Sequence, residues 1–237
     1  MVRDVLQNLS FGQRMVIWRL LVALFLGGMI YYAFFFPSEG DRAMRRGAEA
    51  LRHARSWKVE TARDIPEIQG KLEVVQEVSC PSGSRTTRHQ TQLVGGVPQD
   101  WTLISLTLGD ASYSYSSASD TWKPDTTYGG GPRAMCQALA RGEDTQSLPP
   151  LAAWAKHALI SKGERRDTGA GSCQEWKVAI PHHNANPEKY SVCLGEDDHL
   201  PRFVTERGIE SRYYDWNLPI ELQRPDLAAQ AGPAPQN

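Results

Sequence analysis

The sequence predicts an α+β fold built on one large antiparallel sheet, preceded by an apolar segment. Two blocks of alternating apolar and polar residues, from Trp57 onward and from Cys173 onward, repeat with the period of two that strands require. Between them, the alanine-rich run Leu151–Ile160 is typical of a helix that follows two prolines. The order helix, about five strands, helices, about four strands favours helices packed on a single sheet.

The composition is that of an ordinary globular protein with an appendage. The chain has 237 residues, of which 41% are hydrophobic and 22% are charged, and its formal net charge is -1. This length holds one ordinary domain plus an additional segment. Because the chain has no basic excess, nucleic acid is not an expected partner.

Residues 15–37 are predicted to form a transmembrane signal anchor. No charged residue lies between Leu20 and Phe36, and roughly 20 apolar residues suffice to cross the hydrocarbon core. Pro37 then ends the helix. A cleaved signal peptide is not favoured, because bulky Phe34–Phe36 occupy the positions where small residues mark a cleavage site. A buried core helix is the other alternative, but such a helix rarely runs this long without a polar face.

Charges and cysteines orient this anchor. Residues 1–14 together with Arg19 carry three arginines and one acid, which favours a cytoplasmic N-terminus, although three further arginines follow the span. All four cysteines lie after the span, and their even number suits two disulfides in an oxidising compartment. Four buried thiols in a cytosolic domain are the alternative. We therefore expect a single-pass protein of the inner membrane whose C-terminal domain is periplasmic.

Two disulfides are expected within the domain. Cys173 and Cys193 bracket the turn near His183, so antiparallel pairing brings them opposite each other. This predicts a Cys173–Cys193 bridge and leaves Cys80–Cys136, although the sequence alone also allows other pairings. No Cys-x-x-Cys pair is present, so a zinc site is not expected.

Three segments are expected after the anchor. Residues 38–56 predict a juxtamembrane helix, whose arginine-rich face either rests on anionic headgroups or is simply solvated. Residues 57–225 predict the β-rich domain, in which the helix that begins at Leu151 ends at Gly163. Residues 226–237 are rich in Ala, Pro and Gln and predict a disordered tail.

The last strands carry a recognisable pattern. His199-Leu-Pro-Arg opens one strand, Gly208 makes a turn, and the next strand runs into Tyr214-Asp-Trp-Asn-Leu-Pro and ends at Pro225. This pattern resembles the LppX/LprG-type lipoprotein family, whose fold is shared with the lipoprotein carriers LolA and LolB. The resemblance implies a curved antiparallel half-barrel packed on helices, a cavity for acyl chains and no catalytic residues. The chain departs from the family in having an apolar span where the family has a lipidated cysteine, and in having four cysteines.

No cluster of residues predicts an enzyme. The acids and imidazole of Glu196–His199, with His182 and His183 nearby, have the chemistry of a metal site, but a charged turn between strands is favoured. His-Glu-x-x-His and Gly-x-Ser-x-Gly motifs are absent. Gly129–Gly131 precede a helix without a following Lys-Ser or Lys-Thr, which favours a flexible connection over a phosphate loop. We expect no catalytic residue, no cofactor and no metal.

The leading interpretation is a non-catalytic protein that binds a membrane lipid, an acyl chain or a lipidated protein between sheet and helices. Apolar residues expected on the inward faces of the strands and on the helix form the predicted lining: Leu103, Leu106, Tyr113, Tyr115, Trp154 and Leu159. The alternative is a structural or accessory subunit of an inner-membrane complex, in which Gly27 and Gly28 allow close helix packing. A continuous apolar cavity favours the first interpretation, and a filled core with an exposed apolar patch favours the second.

Overall fold

The structure of the protein is a computed structural model that describes residues 11–35, 37–126, 131–145, 147–169, 171–182 and 185–227. The chain divides into two compact units, Met1–Glu39 and Gly40–Asn237. The expected cytoplasmic N-terminus up to residue 10 and most of the expected disordered tail, from residue 228, lie outside the described residues.

In the described part of the first unit, residues Phe11–Phe35 form a helix, α1. Its side chains between Met15 and Leu26 include several exposed apolar ones, such as Leu24 at 71% exposure. Across the described part of the chain, however, no helix combines the length and the apolar character needed to cross a membrane. The helix expected within residues 15–37 is thus present, but its transmembrane character is not supported.

The rest of the chain forms three helices, one 3-10 turn and eleven strands among the described residues. In chain order they are α2 (Glu39–Arg52), β1 (Ser56–Ile65), the 3-10 turn Pro66–Ile68, β2 (Gly70–Ser79), β3 (Gly83–Val94), β4 (Val97–Leu108), β5 (Ala111–Ser116), β6 (Thr121–Pro124), α3 (Pro132–Ala140), α4 (Leu151–His157), β7 (Leu159–Thr168), β8 (Gly171–His182), β9 (Ala185–Gly195), β10 (Pro201–Glu206) and β11 (Ile209–Tyr214).

All eleven strands belong to one antiparallel sheet with the order β6-β5-β4-β3-β2-β1-β11-β10-β9-β8-β7. Two meanders, β1–β6 and β7–β11, meet at the centre, where the first strand pairs with the last. Lys58 lies opposite Tyr214 and Thr61 opposite Ser211 in this central pair. The sheet is open, with β6 and β7 at its edges. The predicted α+β class with a large antiparallel sheet is confirmed.

The helix predicted over Leu151–Ile160 is shorter in the structure. Helix α4 ends at His157, because Ala158 adopts an extended backbone with φ -103° and ψ 155°. Leu159 therefore belongs to β7, where it pairs with Ala179, and the strand continues through Gly163. The predicted second block of about four strands contains a fifth, since pairing with β8 outweighs the helix propensity at the end of this run.

The core lies between the helices and one face of the sheet, which we call the helix-bearing face. Met44 on α2, Leu151 on α4 and Trp57 on β1 are each less than 2% exposed. Close packing of α2 requires Gly47, since a Cβ there would lie 2.7 Å from the Leu151 side chain. The space remaining between the three helices is only about 20 Å³. Side chains therefore fill the space where the helices meet, whereas an open cleft of about 530 Å³ lies between α3 and strands β2–β4.

Both predicted disulfides are confirmed. Cys80–Cys136 ties the end of β2 to α3, with a Cα–Cα distance of 5.8 Å, and Cys173–Cys193 joins β8 to β9 at 5.5 Å. In the second bridge the cysteines are diagonal neighbours rather than directly opposite, because Cys193 pairs with Glu175. The described residues include no free cysteine.

Candidate functional site

The strand register carries the helix-bearing face beyond the helices onto an open part of the sheet. Val59, in the core, and Thr61 share this face because they lie two residues apart on β1. Thr61 pairs with Val74, Val74 with Arg88, and Arg88 with Leu103. One continuous row of side chains therefore crosses four strands, β1 to β4.

A second row lies next to the first, further from the core. Arg63 pairs with Leu72, Leu72 with Gln90, and Gln90 with Trp101. Together the two rows and Ile209 of β11 line an open cleft of about 570 Å³, which we call the groove. Its lining consists of Thr61, Arg63, Leu72, Val74, Arg88, Gln90, Trp101, Leu103 and Ile209. This volume lies within the range of small-ligand sites.

Two turns hold the groove in shape. The β3–β4 hairpin turns at Gly95 and Gly96, whose φ angles of +61° and +82° favour glycine. This turn sets Val94 opposite Val97 and thereby Gln90 opposite Trp101. At the β1–β2 turn, Gly70 packs so closely on β3 that any Cβ would overlap the backbone of that strand. The strand register that forms the two rows is therefore set by the glycines of these turns as well as by the pattern of apolar residues.

Charges are distributed differently on the two faces. On the outer face, Arg85 and Lys58 both contact the buried carboxylate of Glu77, and Lys58 also lies 3.1 Å from Asp215. The hydrogen bond to Asp215 raises the pKa of Lys58 above its usual value. The groove, by contrast, has two arginines and no acid in its lining.

The structure does not bring the six predicted lining residues together. Leu103 lines the groove and is 49% exposed. Trp154 is buried in the core and packs against Tyr190, with ring centroids 5.2 Å apart. Leu159 is 72% exposed and, being paired with Ala179, lies on the outer face, since neighbouring Val178 faces the core.

The other three predicted lining residues also lie on the outer face. Leu106 lies three positions after Leu103, an odd offset, so its side chain points to the opposite side of β4. It pairs with Tyr113, and both are buried. Tyr115, two residues further along β5, packs against Trp122 in a tilted arrangement with ring centroids 5.4 Å apart. The alternation of side chains along β4 was the sequence signal that could have placed Leu103 and Leu106 on opposite faces of the sheet.

The part of the groove that sequence reasoning missed is mostly on β2 and β3. Leu72 and Val74 are two residues apart and therefore share a face of β2, but apolar Val75 breaks the alternation with polar residues. The pattern also does not show what covers that face. Trp101 lies two residues before Leu103 and shares its face. The arginines could not be assigned, since exposed cations are ordinary on a strand surface.

The acidic turn after β9 forms a network of ion pairs. Glu196 lies 2.7 Å from Arg165 and accepts a hydrogen bond from Ser172, and Asp198 lies 2.7 Å from Arg202. In the described part of the chain, no three His, Cys, Asp or Glu side chains are grouped so as to hold a metal ion. His183 of the predicted candidates lies outside the described residues, as do Gly129 and Gly130.

Comparison with known proteins gives a fold and no family membership. No family model matches the chain, and no curated protein matches it in sequence. The fold is similar to that of LprF from Mycobacterium bovis, at 10% identity and a TM-score of 0.54 over 80% of this chain and 98% of that one.

Two further solved structures match with lower scores. The MucA/MucB complex of Pseudomonas aeruginosa matches at 12% identity and a TM-score of 0.41, over 78% of this chain and 59% of that one. A LolA superfamily protein from Nitrosomonas europaea matches at 7% identity and a TM-score of 0.25, over 77% and 94%. Scores below 0.5 do not establish a shared fold. The LprF match confirms, at the level of fold, the LppX/LprG-type resemblance of the C-terminal strands.

Proposed function

We propose that this protein is a non-catalytic binding protein for a lipid, an acyl chain or a lipidated protein, and that the groove is its binding site. One observation carries the proposal. Apolar side chains of Leu72, Val74, Trp101, Leu103 and Ile209 line an open cleft of about 570 Å³ on the same face that the helices cover elsewhere. The similarity to the LprF fold and the LppX/LprG-type sequence pattern support it.

The site differs from the cup between sheet and helices that the sequence suggested. Core side chains leave only about 20 Å³ where the helices meet, which is too small for an acyl chain. The open cleft of about 530 Å³ between α3 and the sheet has polar side chains such as Gln76, Ser84 and Asp144 in its lining. In the groove, each buried methylene contributes about 0.8 kcal/mol, so ten of them contribute about 8 kcal/mol before the cost of association. Binding of a single chain is therefore energetically reasonable without an enclosed cavity.

Attachment to a membrane is the second part of the proposal. Apolar side chains of α1, such as Leu24 and Phe25, are 71% and 68% exposed, and residues 20–36 carry no charge. Two disulfides support an extracytoplasmic domain. We propose that α1 holds the domain at the outer side of an inner membrane, which restricts any transfer of a ligand to short range. In an alkaline carbonate wash, the full chain should stay in the membrane pellet, whereas Leu24→Arg should release it.

The test of groove binding uses the full chain in its membrane. A photoreactive palmitic acid that carries an alkyne tag is added, cross-linked by light, and its attachment sites are mapped by mass spectrometry. We expect attachment to β2 and β4. Leu103→Asp should lower labelling of these strands about tenfold, because one apolar leucine contact is replaced by a charge.

The matched control is Leu159→Asp. Leu159 is also an exposed leucine of a strand but lies on the outer face, where it lines a separate cleft on β7–β9, so labelling of β2 and β4 should be unchanged. Equal labelling of the wild type and Leu103→Asp, or attachment confined to α1, would refute groove binding.

A second candidate function, an accessory subunit of a membrane complex, is favoured by the tip of the β3–β4 hairpin. Leu93, Val94 and Val97 are 44%, 45% and 60% exposed there. A photoreactive amino acid at position 93 in the full chain distinguishes the two functions. Reproducible cross-links to one protein would support the accessory role, and the absence of protein cross-links, with lipid labelling of the groove, would exclude it.

A further inference from the structure

The two arginines of the groove point to the chemical class of its ligand. We infer that the groove selects an amphiphile with an anionic head, a carboxylate or a phosphate, which Arg63 and Arg88 bind while the apolar lining holds the chain. This inference rests on the proposed function. It goes further by assigning the head group and the residues that recognise it.

The two guanidinium groups are placed on either side of an apolar strip. Arg63 lies on β1 and pairs with Leu72 of β2, and Arg88 lies on β3 and pairs with Val74 of β2. Because β1 and β3 are two strands apart, their backbones lie about 10 Å from each other. Arginine side chains are long enough to reach one head group from both sides, with the chain of the ligand lying against β2 and Leu103.

Neither arginine of the groove has a counter-charge among the described residues. Both are exposed, neither forms an ion pair with a described residue, and no acid contributes to the lining. Glu206 pairs with Ile209 of the groove lining but does not itself line the groove. Two cations beside an apolar surface therefore leave a positive field that an anionic head would complement.

Arginines elsewhere on the sheet behave differently. Arg85 contacts Glu77, Arg166 contacts Glu175 and Arg212 contacts Glu210. These pairs show that the chain supplies an acid to an arginine on its outer face, whereas the groove lacks one. A guanidinium group matches the planar, bidentate geometry of carboxylate and phosphate oxygens, which makes those heads the expected partners.

An uncharged lipid would use the apolar lining alone. It would leave both guanidinium groups without a partner and with part of their hydration removed, which costs free energy. An anion without a chain would use only the arginines, at an exposed site where single ion pairs are weak. Only a ligand with both parts engages every side of the groove.

The test compares photoreactive palmitic acid with its methyl ester in membranes that contain the full chain. The two probes share the chain, the diazirine and the alkyne and differ only in head charge. We expect wild-type protein to be labelled on β2 and β4 about tenfold more by the acid, since hydrogen bonds to charged groups are the stronger ones. The double variant Arg63→Gln/Arg88→Gln should lose this preference but retain labelling by the ester.

Arg133→Gln is the matched control. Arg133 is an exposed arginine of α3 outside the groove, so the preference for the acid should be unchanged in this variant. Intact disulfides, read as the mass of the unreduced protein, establish that each variant has folded.

The remaining outcomes separate the two levels of the proposal. Equal groove labelling by acid and ester in wild-type protein would overturn the anionic head and leave lipid binding in place. No groove labelling by either probe would overturn lipid binding and this inference together. Displacement of the acid by inorganic phosphate would assign the arginines to a free anion and also overturn the inference, whereas unchanged labelling would support it.

Discussion

Removing the Cys80–Cys136 bridge tests how helix α3 is held on the sheet. The bridge connects the end of β2 to the middle of α3 across 56 residues of sequence. In the chain-entropy treatment, opening a loop of this length lowers the free energy of unfolding by about 4 kcal/mol. Helix α3 has only nine residues, and isolated helices this short are marginal in water. We therefore expect Cys80→Ala/Cys136→Ala to lose global stability and to loosen α3 first.

The assay combines urea unfolding with hydrogen exchange. Urea unfolding of the full chain in mild detergent, followed by tryptophan fluorescence, reports the global loss, and amide exchange of residues 132–140 reports the helix. We expect a loss of roughly 3–4 kcal/mol and rapid exchange of α3 in the variant. A loss below about 1 kcal/mol with α3 as protected as in the wild type would show that packing, not the bridge, holds the helix.

The second bridge provides the comparison. Cys173 and Cys193 are separated by 20 residues, for which the same treatment gives about 3 kcal/mol. Both are fully buried and pack against Phe203, so their replacement by alanine also leaves a void. The expected global loss is therefore similar, but α3 should remain protected from exchange. Loosening of α3 in both variants would refute a local role for Cys80–Cys136.

Two further predictions concern packing and pH. Burial, and a hydrogen bond donated to Glu188, raise the pKa of Tyr190 to about 12. Because the folded state favours the neutral phenol, its contribution to stability is complete below pH 10 and is lost towards pH 12. Tyr190→Phe should reduce the fall in unfolding free energy over this range, and an identical fall would contradict the assignment. Gly47→Ala should lower the unfolding free energy by about 1–2 kcal/mol, because the cost of overlap with Leu151 exceeds the gain in helix propensity. The control Gly169→Ala, at a position with open space around it, should change the unfolding free energy by less than about 0.5 kcal/mol.

The predictable features of this fold rest on local patterns. Alternation from Trp57 onward and from Cys173 onward identified the two blocks of strands, and the bracketing of one turn by Cys173 and Cys193 identified their bridge. The pattern around Gly208 and Tyr214 pointed to the LppX/LprG-type fold, which the similarity to LprF confirms as a fold. Each of these signals depends on residues close in sequence or on a single hairpin.

The features that were missed depend on partners distant in sequence. The run after Trp154 has a helical composition, yet it leaves the helix at Ala158 because β8 offers a strand partner to Leu159. Likewise, the sequence showed that Leu106 and Tyr113 are apolar but not that the C-terminal segment crosses the outer face, where Arg224 lies 5.6 Å from the Tyr113 ring. In the sequence, apolar residues buried on the outer face cannot be distinguished from apolar residues that line a ligand cavity.

The position of the groove follows from the unequal cover of one sheet face. Near the core, Trp57 and its neighbours pack against the helices, and only about 20 Å³ remains where the helices meet. Two residues further along each strand the helices are no longer in contact, but the side chains on that face, such as Leu72 and Val74, remain apolar. While these side chains are in contact with water, they contribute little hydrophobic stabilisation. Burying them under an apolar ligand or partner would therefore be favourable. In the proposed function, a bound acyl chain would complete on this half of the sheet the layer that the helices form on the other, and the arginines beside it would select its head group.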